Sequence, residues 1–233
     1  MKKIIKIFLI MVSVFIFLEI TILDIGSILY KKDTPSWKTN NPELNQSMTK
    51  EQKIYYEVFK EEMIKLCPKK TIEEIDLICR CLVFYSKNIP YFAGVLFTES
   101  LRPRRRGRTL FWHNFTEKND GGSPSYGVPK MKIGTINAVR YAMKEKTIKA
   151  RHINISDPEW QIKLIKYAGY HFDNMANQQR SVFRGIHVYK FGSWGYKKYK
   201  KKHNYREPYY LSGHAFKKSC EYQKLFIEKI LED

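Results

Sequence analysis

Ser156-Asp157-Pro158-Glu159 is a helix start signalled in three ways at once. It offers side chains that can accept from the exposed N–H groups of a first turn, a proline where no N–H is missed, and a glutamate three residues after Ser156. The spacing predicts a helix over 158–177. Similar signals recur upstream. Thr71 with Glu74 forms a capping box that opens a helix to about residue 87, with Ile75, Ile78 and Leu82 facing inward. Over 51–66, Ile54, Val58, Phe59, Met63 and Leu66 lie close to one helical stripe. Pro90 can start a short helix that ends before Pro103. Residues 131–143, 180–189 and 214–231 complete the pattern. The fold expected is mainly α, one globular domain over 51–233, with 43% hydrophobic residues to supply its core.

The N-terminal stretch is of a different kind. Met1-Lys2-Lys3-Ile4-Ile5-Lys6 is a basic leader, followed over 7–18 by an apolar run interrupted only by Ser13. This reads as an export signal or, since no small-x-small cleavage site follows, as an uncleaved membrane helix over 1–30 with its N-terminus in the cytoplasm. Residues 31–50 are polar and turn-rich, as a linker would be. The net charge of +19 points to a polyanionic neighbour: nucleic acid, anionic lipid or an acidic wall polymer. An export segment argues against nucleic acid. In an oxidising compartment Cys67, Cys79, Cys81 and Cys220 could pair, Cys79 with Cys81 excepted, because the two point to different faces of one helix. No metal or cofactor is implied, since no second close Cys or His pair completes a tetrahedral site.

Between 101 and 125 five arginines, Phe111-Trp112-His113 and Gly121-Gly122 follow without usable period, which predicts a long loop or an irregular hairpin. Just before it stands Phe97-Thr98-Glu99-Ser100, at the end of the apolar segment 89–97. Loss of water disfavours the charged form of a carboxyl group. An acid sheltered on that face is therefore expected to keep a proton for a glycosidic oxygen.

Four separated pieces of the sequence then agree with one family. Glu99-Ser100 closes a helix. Ser-Tyr-Gly-Val-Pro-Lys-Met-Lys-Ile-Gly-Thr follows over 125–135, Asp157-Pro158-Glu159-Trp160-Gln161-Ile162 opens a later helix, and Tyr189-Lys190-Phe191-Gly192 comes last. In this order they resemble the soluble-type lytic transglycosylases, relatives of goose-type lysozyme, over roughly residues 75–195. The resemblance implies a lysozyme-like helical domain with Glu99 and Tyr189 as catalytic residues. It also implies a substrate-binding set of Ser100, Ser125, Tyr126, Gly127, Lys130 and Lys190, with peptidoglycan as substrate and no cofactor. Two positions depart from the family pattern: Lys130 stands for a glutamine and Lys190 for an asparagine.

The chemistry implied uses one carboxyl group twice. Glu99 would protonate the bridging oxygen on C4 of N-acetylglucosamine, while the acetamido group or Tyr189 stabilises charge on the N-acetylmuramic acid. Glu99 would then take the proton of the C6 hydroxyl to close a 1,6-anhydro ring. A second carboxylate holding water would give a lysozyme-type hydrolase instead, with Glu117 and Asp120 as candidates. A catalytically weak domain that only grips glycan is the further alternative, suggested by the two lysines. Trp112, Tyr126, Phe191 and Trp194 are aromatics able to stack on sugars, and the basic run 197–203 suits adhesion to an anionic surface. The expected location is the cell envelope, membrane-anchored with the domain in the periplasm, next to an unknown partner machine.

Overall fold

The computed structural model describes residues 41–67, 70–101, 116–119, 123–155, 157–202 and 213–232. Its helices are α1 (Lys50–Leu66), α2 (Ile72–Phe84), α3 (Ile89–Leu96), α4 (Ile133–Ala142), α5 (Pro158–Gln178), α6 (Val182–Lys202) and α7 (Gly213–Glu232). A small sheet, β1 (Thr116–Asn119), β2 (Ser123–Tyr126) and β3 (Met131–Lys132), lies between α3 and α4 in the order β1-β2-β3. Both pairings are antiparallel, with Glu117 opposite Ser125 and Tyr126 opposite Met131. The mainly helical expectation holds. The stretch after α3 contains the paired strands β1 and β2, and residues 131–132, expected to begin a helix, pair as the third strand.

Local chemistry accounts for the helix starts. Thr49 and Gln52 cap α1 reciprocally, and Thr71 and Glu74 do the same for α2. Asp157 is the N-cap of α5, accepting from the N–H of Glu159 at 2.9 Å. Ser156, the other capping candidate, lies outside the described residues. For α3 the local signal is incomplete, since Asn88 provides no side-chain cap. Its entry is fixed from afar by Asp173 of α5, which accepts from Ser86 Oγ, Asn88 Nδ2 and the Lys87 N–H, each at 2.8 Å.

The apolar helix α3 sits at the centre. Phe92 packs on Phe172 of α5, and a Cβ at Gly94 would stand 2.5 Å from the Ala215 carbonyl oxygen of α7, so glycine lets the two helices touch. On the far side of α7, Phe59 meets Tyr222 edge-on at 4.8 Å and Tyr55 stacks on Phe226 at 4.4 Å. Lys218 pairs with Glu62 of α1 and lies over the Phe97 ring, tying α7 to the end of α3.

Two expectations change. The folded body begins ahead of residue 49, because Leu44 is fully buried, Glu43 pairs with Lys166 at 2.6 Å, and Asn41 donates to the Tyr85 hydroxyl at 3.4 Å. The residues of the supposed linker from 41 onward thus belong to the domain. All four cysteines are free, with Cys67, Cys79 and Cys81 buried and Cys220 exposed. Burial pushes the Cys79 and Cys81 thiols far up, so they act as small apolar side chains. No described helix is long and apolar enough to cross a membrane, and the membrane helix expected over 1–30 lies outside the described residues.

Candidate functional site

Glu99 is delivered by a change of helical gauge. After α3 the chain continues as a π-turn, Phe97–Leu101, the wider coil that often marks functional sites. The turn is clamped on both sides of the acid. Thr98 Oγ1 donates to the Val95 carbonyl at 2.8 Å, and the buried Ser100 hydroxyl donates to the Val128 carbonyl. Glu99 between them keeps 26% of its side chain exposed.

The opposite wall is the turn 127–130 that leaves β2. Gly127 (φ 69°) and Lys130 (φ 53°) both occupy the left-handed region, and the Lys130 N–H closes the turn on the Gly127 carbonyl at 3.1 Å. A Cβ at 127 would also come within 2.5 Å of Leu164 Cδ1. The turn is held from behind by Gln161 of α5, which is 1% exposed. Its Oε1 accepts from the Val128 N–H at 3.3 Å while its Nε2 donates to the Ile155 carbonyl at 2.6 Å.

The third wall is α6, which breaks at Gly192 (φ 72°, ψ 161°), a backbone region open essentially to glycine alone. Just before the break stand Tyr189 and Lys190. The Lys190 ammonium lies 3.1 Å from Glu99 Oε1 and donates to Thr98 Oγ1 at 3.0 Å, joining α6 to the acid's own turn. The Tyr189 hydroxyl is buried and has no hydrogen-bond partner in the structure. Burial first, and the Glu99 charge second, push its phenol far above the usual range, so it stays neutral at physiological pH. Its ring rests edge-on against Phe172 and 5.5 Å from the ring of His171, whose imidazole burial shifts downward.

These walls enclose a cavity of about 320 Å³ lined by Glu99, Lys130, Lys132, Thr135, His171, Tyr189, Lys190 and Gly192, among others. Of the residues expected in the site, Glu99, Lys130, Tyr189 and Lys190 meet here. Ser100, Ser125 and Tyr126 are buried behind the walls and Gly127 shapes one from below, so these four build the site and do not line it. Glu99 was expected among apolar neighbours; it faces an ammonium instead, because the helix that completes the cavity brings Lys190 to it. Trp194 stands away from the cavity, 73% exposed, with Lys198 Nζ 4.9 Å from its ring centre. Trp112, Asp120 and the side chains of Glu117 and Phe191 lie outside the described residues.

Sequence reasoning missed His171, Lys132 and the holding role of Gln161. A single histidine inside a helix carries no local signal, and Gln161 stands out only once its partners, 33 residues upstream and 6 upstream, are known. A larger cavity of about 620 Å³ lies where α1 and α2 meet α5, lined in part by Gln52 and Asp173. There Gln52 Nε2 donates to the Val83 carbonyl at 2.9 Å, and Asp173 holds the start of α3, so both groups serve the fold. Among the described residues no group of three or more His, Cys, Asp or Glu is placed to hold a metal ion.

Comparison with protein-family models, with curated proteins and with solved structures finds no match to this chain.

Proposed function

We propose that the protein cleaves murein glycan strands as a lytic transglycosylase, with Glu99 acting first as acid and then as base. One observation carries this reading. Glu99, Lys130 with Thr135, and Tyr189 with Lys190 and Gly192 come from three separate family-like segments and line one cavity, and Gln161 from the fourth braces its wall. Such convergence of distant segments on a sheltered carboxyl is what a glycan-cleaving site needs.

In the proposed reaction the Glu99 carboxylic acid gives its proton to the oxygen leaving as the 4-hydroxyl of N-acetylglucosamine, and the bond from that oxygen to C1 of N-acetylmuramic acid breaks. The neutral Tyr189 hydroxyl, unpartnered in the structure, turns its oxygen dipole to the positive charge that develops at C1. The Glu99 carboxylate then removes the proton of the C6 hydroxyl as that oxygen bonds to C1, which restores the acid and leaves a 1,6-anhydro end. For the first step Lys190 has to leave Glu99, because its ammonium stands 3.1 Å from Glu99 Oε1, where the leaving oxygen has to come. The segment over 1–30 would hold the domain at the membrane on the wall side, and the exposed Lys197, Lys198, Lys201 and Lys202 would face its anionic surroundings.

The Lys190 to Glu99 ion pair favours a second reading, a domain that binds glycan without cutting it. Mass spectrometry of murein incubated with the full-length protein in detergent separates the two. Anhydro ends are expected; reducing ends would make it a hydrolase, and murein retained by the protein without products would make it a binder.

A further inference from the structure

We infer that Lys190 is the receptor for a carboxylate on the glycan, so that the site is built for acidic, carboxylate-bearing strands and is unlocked by them. The inference rests on the glycan-cleaving site proposed above and names its substrate class more narrowly. Among the described residues, three lysines line the cavity, Lys130, Lys132 and Lys190, against one carboxylate, that of Glu99. A neutral sugar chain gains little from that excess of positive charge, whereas an anionic one is drawn to it.

Lys190 is the lysine whose contacts give the excess a use. Its ammonium has three donors, and the structure accounts for two of them, on Thr98 Oγ1 at 3.0 Å and Glu99 Oε1 at 3.1 Å. The side chain keeps 16% exposure and lines the cavity, so a third acceptor can reach it from the ligand side. A substrate carboxylate there offers the ammonium a second anion. Once the ammonium shifts to that anion, Glu99 is freed from the ion pair and the ammonium keeps a counter-ion.

Binding of a saccharide without a scissile bond tests this apart from turnover. The probe is the disaccharide of N-acetylglucosamine on N-acetylmuramic acid with its lactyl carboxylate free, compared with the same disaccharide as the lactyl amide. Both are titrated calorimetrically into full-length protein in detergent. The carboxylate form is expected to bind about tenfold more tightly than the amide, as a charge-assisted contact would give. Lys190→Met should bring the two within about twofold, and Lys190→Arg should restore most of the preference. A wild-type ratio near one, or a preference that survives in Lys190→Met, overturns the role of Lys190 while leaving the glycan site standing. Failure of the wild-type protein to bind either sugar overturns the glycan site itself, and this inference with it.

Discussion

The body around α1, α2 and α7 and the cavity wall around Glu99 are made from the same kinds of residue and arranged to opposite ends. In the body, aromatic rings interlock, the thiols of Cys67, Cys79 and Cys81 are buried, and Lys218 spans Glu62 and Glu221. One oxygen of Glu62 is left without a partner, but the other carries the Lys218 pair. Around the cavity the exceptions accumulate: a π-turn, left-handed backbone at Gly127, Lys130 and Gly192, and a buried phenol with nothing to bond. Strain and unmet polarity persist only where surrounding structure enforces them, and they gather at sites that bind or react. The body supplies the enforcement.

If that contrast is right, substitutions in the two regions should separate stability from activity. The largest effect is expected from Glu99→Gln, which should lower anhydro-end formation, measured by mass spectrometry, by about 10²–10⁴-fold. Its unfolding midpoint should stay near that of the wild type; a lost midpoint would place Glu99 with the body. Phe59→Ala does the reverse, since Phe59 is among the largest fully buried side chains. It should cost about 3–5 kcal/mol in denaturant unfolding, with turnover per folded molecule unchanged.

Tyr189→Phe sharpens the comparison because the two readouts should move in opposite directions. Removing a buried hydroxyl that has no partner should stabilise the fold by about 1 kcal/mol while cleavage slows by about tenfold. A destabilised variant would mean that the hydroxyl serves the fold after all. The smallest effect concerns pH. Burial holds the folded-state pKa of His171 below its ordinary value of 6.5, so below that value the unfolded chain takes up a proton that the folded one refuses. Stability should therefore be complete above about pH 6.5 and decline as the pH falls through that value toward the folded-state pKa. His171→Asn should flatten this slope in denaturant midpoints measured from pH 7.5 to 5.5, and an unchanged slope would assign it to other groups.

The body was the more legible region. The capping box at Thr71 and Glu74 and the stripe through Ile54, Val58, Phe59 and Met63 could be read directly, because each depends on residues within a turn or two of one another. Helix ends were less legible: α2 was expected to reach residue 87 and stops at Phe84, since the chain must turn there for Ser86 and Asn88 to meet Asp173, more than 80 residues further on. In the site, Glu99 and Tyr189 stood out by their segments. Ser125 and Tyr126 stood out equally and proved to be buried wall, because a motif fixes order along the chain but not which side chains turn toward the cavity.

By itself, then, the sequence determined where helices begin, which faces are apolar, and that four short segments come in a particular order, all consequences of forces that act within a few residues. Tertiary structure alone decided that Lys190 meets Thr98, 92 residues away, and Glu99 beside it, that Gln161 braces the opposite turn, and that a cavity opens between them. The reason is physical. Such contacts are set by how whole helices pack, and packing depends on the sum of many side-chain shapes, which no local spacing records.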